Sequence, residues 1–317
     1  MRLPENFELL AHLPPNGCSV EEAQAYTRWL ATHHYENFNV ASWLLPRELP
    51  QHFYNVYAYC RWADDLGDEV PDAAQALALL DEWEQELKLC YDGAPRHPVF
   101  IALQPSVQKF DIPITPFADL LRAFRQDQTV KRYADWNGVL GYCRYSANPV
   151  GHLVLYLCGH RDAERQRLSD YTCTALQLAN FWQDVARDLE KDRIYIPLDR
   201  AGDHGVGEAD IVARRFSPAF AALMKELIAY TRDLFTRGMP LAQKVQRELS
   251  VDIELFSRGG LAVLDAIEAT GYNTLAQRPA ISRGKQVRLL GRALVSRLFA
   301  PWQSSAGRET TAVGRDA

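Results

Sequence analysis

Asp64 and Asp68 stand four residues apart in CRWADDLGDE (residues 60–69), and Asp184 and Asp188 repeat that spacing in QLANFWQDVARDLEKDRIYIP (residues 177–197). Carboxylates at i and i+4 leave an α-helix in nearly the same direction, about 6 Å apart along its axis. Asp64 falls within about 20° of Tyr57 and Phe53, so the first pair shares a stripe with aromatic residues that should turn inward, while Asp65 and Glu69 point outward into solvent. On the second segment Cys173, Gln177, Asn180, Asp184 and Asp188 lie within about 40° of one direction. The rest of that helix is apolar, through Ala175, Leu176, Leu178, Ala179, Phe181, Trp182, Val185 and Ala186. A helix that is apolar nearly all round is buried, so its one polar stripe lines a cavity or meets another helix.

Unpaired buried charge is expensive and calls for a compensating cation. Two helices that each offer a carboxylate pair make an all-oxygen site, which suits Mg²⁺; zinc or copper would call for histidine or cysteine. Mg²⁺ keeps waters and binds substrate phosphates, and a metal-bridged diphosphate is a good leaving group because the ion neutralises charge that develops as the C–O bond breaks. Arg61 and Arg193 stand ready for bidentate contacts to phosphate oxygens, with Arg187 and Lys191 close by. The competing account is a pair of solvated acidic faces laced with i,i+4 ion pairs. It fits a single motif better than two on apolar helices.

Helical periodicity dominates the elements that must hold these groups. Helices are expected over residues 19–36, opened by a Ser19/Glu22 capping box, then 51–69, 73–92 with Ala76, Leu80, Trp83 and Leu87 inward, 115–130, 138–158, 163–190, 217–245, 248–270 and 284–300. Residues 93–114 and 197–209, rich in Pro, Asp and Gly, read as loops, and 303–317 as a disordered tail. The expectation is an all-α, single-domain helical bundle with a central cavity over residues 1–302. With 47% hydrophobic residues there is ample material for its core. The net charge of −5 argues against a nucleic-acid partner. No apolar run reaches the roughly 18–20 residues of a membrane span, and the N-terminus lacks the pattern of a signal peptide, which places the chain in the cytoplasm. The six scattered cysteines read as small buried hydrophobes. Residues 284–302, GKQVRLLGRALVSRLFAPW, form a basic amphipathic helix that either closes the bundle or lies on the inner face of an anionic membrane.

At these residues the chain resembles the squalene/phytoene synthase family, the head-to-head trans-isoprenyl diphosphate synthases, over about residues 20–285. The resemblance rests on Arg61, Asp64 and Asp68 in the first motif and on Gln177, Asn180, Asp184, Asp188, Arg193 and Tyr195 in the second. A third element, GYCRYSANPVGHLVLY (141–156), matches at Tyr142, Ala147, Val150 and Gly151. Within the family, HYENFNVASWLLP (34–46), YCRYSANPVG (142–151) and NFWQDVARD (180–188) resemble the bacterial branch that converts presqualene diphosphate and water to hydroxysqualene. Three departures from the common pattern stand out. Tyr35 and Asn37 replace a Ser-x-Ser after His34, Gln183 replaces an Arg before the second motif, and Asn148 replaces a Gly.

The resemblance implies an isoprenoid-synthase bundle in which Asp64, Asp68, Asp184 and Asp188 hold Mg²⁺ against an isoprenoid diphosphate, either presqualene or farnesyl diphosphate. Asp64, Asp184 and Tyr142 would carry the chemistry, and His34, Asn37, Arg61, Gln177, Asn180, Arg193 and Tyr195 would contact substrate. His34 fits a site lining and ordinary helix packing equally. Phe38, Tyr57, Tyr142 and Phe181 are either plain core or faces for a carbocation, where a desolvated cation–π contact is worth about 2 kcal/mol. The chain has no G-x-G-x-x-G after a strand, which favours water over a dinucleotide hydride as the terminator. Rival readings are a head-to-tail elongator, for which DDLGD fits but QDVARD does not, a squalene or phytoene synthase, and an inactive helical scaffold.

Overall fold

The computed structural model describes residues 7–34 and 48–280, and every regular element in those spans is a helix. α1 (Val20–His34) opens with the expected capping box: the Ser19 amide donates to Glu22 Oε2 at 2.8 Å and the Glu22 amide to Ser19 Oγ at 3.2 Å. α2 (Pro50–Asp68) starts on a proline whose missing N–H costs nothing there. α3 (Ala73–Tyr91) is capped by Asp72, whose carboxylate accepts from the Gln75 amide at 2.7 Å. α5 (Thr115–Asp127) and α6 (Trp136–Ser146) follow, and then α8 (Ala163–Asp188), 26 residues long and capped by Asp162. α11 (Pro218–Gly238) and α12 (Arg247–Ala269) pack along α8.

Four boundaries differ from the sequence expectation. The stretch 93–114 is no loop: it holds α4 (Pro98–Phe110), with Pro105 inside it. Its residues 98–103 are all buried, and this burial outweighs the poor propensity of its prolines. The helix expected over 138–158 is two, α6 and α7 (Asn148–Leu157), broken at Ala147 ahead of Pro149. The loop expected at 197–209 contains the short α9 (Leu198–Asp203), followed by α10 (Glu208–Val212). The helix expected to run to 245 ends at Gly238 and tightens into a 3₁₀ turn, Met239–Gln243, at Pro240. Asn37, Phe38, the basic stretch 284–302 and the tail 303–317 lie outside the described residues, as does the side chain of His34.

Two large apolar clusters hold the bundle. One joins α1 to α5 around Trp62, Trp83, Tyr59, Phe100 and Phe117; the other joins α6, α8, α11 and α12 around Phe181, Trp182, Phe220 and Phe235. Ala76, Leu80, Trp83 and Leu87 are buried as expected. Of the six cysteines, Cys90, Cys143 and Cys158 are buried, and Cys18, Cys60 and Cys173 are half-buried. Among the described residues no helix is long and apolar enough to cross a membrane.

His97 tests the first cluster. Its ring stands edge-on to Trp62 at 4.9 Å and to Trp83 at 5.0 Å, and Nδ1 accepts the Val99 amide at 3.3 Å to cap α4. Burial pushes its pKa down from 6.5 to about 3, so the unfolded chain binds a proton that the folded chain refuses. This stability is present above about pH 6.5 and is lost as pH falls toward 3, amounting to about 2 kcal/mol between pH 7 and pH 5. Asp64, Asp65 and Asp127 are each raised to about 6 and Asp188 to about 7, so they oppose this trend. Comparison with His97→Asn, which keeps a capping side chain, isolates it. Denaturation midpoints of wild type and variant should converge as pH drops from 7 to 5. A constant gap across that range would show that His97 does not resist protonation.

Candidate active site

The stripe carrying the first motif turns inward only in part, with Phe53, Tyr57 and Cys60 packing on the edge of the first apolar cluster. Phe53, Tyr57, Cys60, Arg61 and Asp64 are half-buried and Asp68 is exposed, while the opposite faces of α2, with Asn55, Tyr59, Trp62 and Leu66, are fully packed. Asp65 corrects the sequence reading. It is buried at 4% exposure rather than solvated, and Arg61 pairs with it at 2.8 Å. Arg61 therefore spends its guanidinium on its own helix, and its buried Nε has no partner among the described residues. Glu69 is exposed, as expected.

On α8 the polar stripe survives as expected. Gln177, Asp184 and Asp188 are half-buried and Asn180 is exposed, while Ala175, Leu178, Ala179, Phe181, Trp182, Val185 and Ala186 are buried. The chain after α8 brings the two motifs together. Lys191 Nζ reaches Asp68 Oδ2 at 2.9 Å and Arg193 Nη2 reaches Asp68 Oδ1 at 3.0 Å. A short backbone zipper holds this return strand: the Ile194 amide donates to Lys131 O at 2.9 Å and the Leu198 amide to Tyr133 O at 3.0 Å. The same zipper places Tyr195 against α8, where its ring stacks on Phe181 with centroids 3.8 Å apart.

The electrostatics mark the carboxylates as short of cations. Burial, then the neighbouring Asp68 charge, lifts Asp64 to about 6. Burial, then Asp184, lifts Asp188 to about 7. Burial also pushes Asp68 upward, but the Lys191 hydrogen bond and the Arg193 charge outweigh it and hold this carboxyl below its usual range. Among the described residues no three His, Cys, Asp or Glu side chains converge as a metal cluster. The four aspartates stand as two i,i+4 pairs rather than one cage, with Asp68 of the first close enough to act on Asp188 of the second. Such a donor set fits Mg²⁺, which takes one or two carboxylates and completes its octahedron with water and substrate phosphate.

Two groups at this site escaped the sequence reading. Arg278, from the segment after α12, donates through Nε to Asp184 Oδ1 and through Nη2 to Asp184 Oδ2 at 3.4 Å. Buried Gln183 steers it, accepting from Arg278 Nη2 at 3.0 Å while its amide donates to Pro279 O at 2.6 Å. The other is Asp127, the last residue of α5, whose Oδ2 accepts from the Tyr142 hydroxyl at 2.8 Å. The GYCRYSANPVG element acts as a helix junction. A Cβ on Gly151 would stand 2.2 Å from Ser169 Oγ and 2.6 Å from Cys173 Sγ, so only glycine lets α7 lie so close to α8. Asn148 accepts from Thr174 Oγ1 at 2.9 Å, a bond that a glycine side chain could not make.

The profile described as squalene/phytoene synthase matches residues 31–285. The chain belongs to the squalene/phytoene synthase family. Relatives within it are named for different products. A hydroxysqualene synthase of Rhodopseudomonas palustris is 36% identical over 220 residues, covering 68% of this chain and 73% of that one. A phytoene synthase of Thermus thermophilus is 31% identical over 271 residues, covering 84% of this chain and 91% of that one. The crystal structure of squalene synthase HpnC from Alicyclobacillus acidocaldarius superposes with a TM-score of 0.78 at 42% identity, covering 80% of this chain and 96% of that one. The expected all-α synthase fold is therefore borne out, and the head-to-tail elongator reading gives way to this family.

Proposed function

We propose that this squalene/phytoene synthase family member ionises presqualene diphosphate and lets water capture the rearranged carbocation, releasing hydroxysqualene and diphosphate. The observation that carries the reading is that Lys191 and Arg193, from the tail of the second motif, hold Asp68 of the first, so that both aspartate pairs feel the same cations. Such an arrangement gathers negative donors and fixed cations around one point, as a metal-bound diphosphate requires. Asp64, Asp68, Asp184 and Asp188 would hold Mg²⁺, which supplies Lewis-acid neutralisation of the departing diphosphate. Lys191, Arg193 and Arg278 are positioned to exchange their carboxylate partners for phosphate oxygens. Tyr142, Phe181 and Tyr195 form the wall beside the site, with ring centroids 6.0 Å apart for Tyr142–Phe181 and 5.7 Å for Tyr142–Tyr195. Their faces favour a positive charge over a neutral product.

Support for the alcohol as product comes from the 36% identical hydroxysqualene synthase and from Gln183 and Asn148, where the sequence leaves the family's common pattern. The second reading is head-to-head joining of two prenyl diphosphates to phytoene or squalene, favoured by the phytoene synthase that this chain covers over 91% of its length. Purified protein with Mg²⁺ and presqualene diphosphate should yield hydroxysqualene in the absence of NADPH. Squalene formed only with NADPH, or phytoene from geranylgeranyl diphosphate, would replace this reading with the second.

A further inference from the structure

Asp127 and Tyr142 are both buried, at 6% and 5% exposure, at the inner end of α5 and the middle of α6. They meet through one hydrogen bond of 2.8 Å from the tyrosine hydroxyl to Oδ2. The other carboxylate oxygen, Oδ1, is shut away from solvent and has no hydrogen-bond partner among the described residues. Lys131, the nearest lysine along the chain, gives its Nζ to the Asp127 backbone carbonyl at 2.7 Å rather than to the carboxylate. A buried carboxylate with a vacant oxygen is costly, and nothing in the packing of α5 needs it there. An asparagine would fill the same space and still accept from the Tyr142 hydroxyl without burying a charge.

The surroundings give this carboxylate one outlet. Tyr142 stands between it and the aromatic wall of the site, with its ring 6.0 Å from Phe181, 5.7 Å from Tyr195 and 5.7 Å from Tyr133. The charges that act on Asp127 are those of Arg193 and Lys131, which favour its ionised form, and of Asp68, which opposes it; burial outweighs the cations and lifts the carboxyl to about 6. At that value the group is ionised at neutral pH and still basic enough to take a proton from a neighbour that becomes strongly acidic.

We propose that Asp127 is a positioning residue that makes Tyr142 a one-proton relay, so that the carbocation is quenched by loss of a proton through the phenol to the buried carboxylate. The role rests on the reading of the site as a carbocation-forming centre. When water adds to the cation, its oxygen forms the new C–O bond and becomes a protonated alcohol. That O–H bond breaks as the proton passes to the phenolic oxygen of Tyr142. The original phenolic proton crosses the 2.8 Å hydrogen bond to Asp127 Oδ2 in the same event. The alcohol and the tyrosine end neutral, and Asp127 ends as a neutral acid. The released diphosphate carries the leaving electron pair, so charge and atoms balance. If the wild-type product is instead a hydrocarbon formed by proton loss, the relay receives the carbon-bound proton by the same route.

The test is a double-mutant cycle on the full chain with Mg²⁺ and presqualene diphosphate, following product and diphosphate together. Asp127→Asn keeps an acceptor for the Tyr142 hydroxyl but not the basicity. It should lower kcat about 100-fold, within the usual range for a lost proton acceptor, with KM changed less than about threefold. Tyr142→Phe should lose a similar factor, and the double variant should lose little more than either alone, because both remove one relay. Asp127→Glu, which restores the base, should recover part of kcat. Losses that multiply in the double variant, or an Asp127→Asn enzyme within threefold of wild type, would overturn the relay. The identity of the wild-type product judges the reaction assignment separately, since the coupling between the two variants is read whichever product forms.

Discussion

Asp184→Asn is expected to lower diphosphate release by about 10³-fold, the upper end of what loss of one pre-organised electrostatic group costs. Asp184 sits on the polar stripe of α8, its side chain 13% exposed, and Arg278 is its ion-pair partner among the described residues. Asparagine occupies the same volume and still offers an oxygen to that guanidinium. The fold should therefore survive, because Arg278 is itself 38% exposed and water can solvate it. What disappears is one negative charge facing Asp188, and with it the attraction for a divalent cation. A coupled diphosphate assay over a Mg²⁺ titration, read beside a thermal melt, separates the outcomes. Low turnover with a raised Mg²⁺ requirement and a melting temperature within about 2 °C of wild type is the expected result. Turnover within tenfold of wild type would remove Asp184 from the site.

Trp83→Ala should be the most damaging single change to stability, by about 3–5 kcal/mol. Trp83 is fully buried on α3 and lies flat against Trp62 of α2, with centroids 5.3 Å apart and planes 10° apart. Phe100 of α4 meets it at 4.5 Å and Tyr59 of α2 at 6.1 Å. Its indole N–H has no acceptor among the described residues, so packing is what it contributes. Trp62 is one turn or less from Arg61, Asp64 and Asp65, and its own N–H donates to the Tyr26 hydroxyl at 2.8 Å. The stack is thus the rear support of the helix that carries the first motif. The variant should show a denaturation midpoint lowered at unchanged m-value and a melting temperature down by roughly 10 °C. A loss below 1 kcal/mol would mean that the site helix is held by something other than this stack.

Much of the fold was legible because its signals are local. Ser19 and Glu22 announce α1 within four residues, and the apolar spacing of Ala76, Leu80, Trp83 and Leu87 announces α3. α4 was not legible, since its prolines at 98 and 105 read as breakers, and only burial against α1, α2 and α3 makes that segment helical. The orientation of α2 was half legible. The stripe of Phe53, Tyr57 and Asp64 is real, but a helix packed on most of its circumference does not say which stripe meets the core and which meets the site. Asp65 went to the buried side and Asp64 to the open one.

The sequence by itself determined the two carboxylate pairs, their helical spacing, the polar stripe of α8 and the motif pattern of the squalene/phytoene synthase family. All of these are relations between residues a few positions apart, which backbone geometry turns into direction. Tertiary structure alone decided which cations answer those carboxylates. Lys191 and Arg193 reach Asp68 across more than 120 residues, Arg278 reaches Asp184 across 94, and Tyr142 finds Asp127 on another helix. No local propensity encodes such pairings. They exist because packed helices leave a buried charge no solvent to turn to, and the nearest group of opposite sign or with a proton to share is wherever the bundle has placed it.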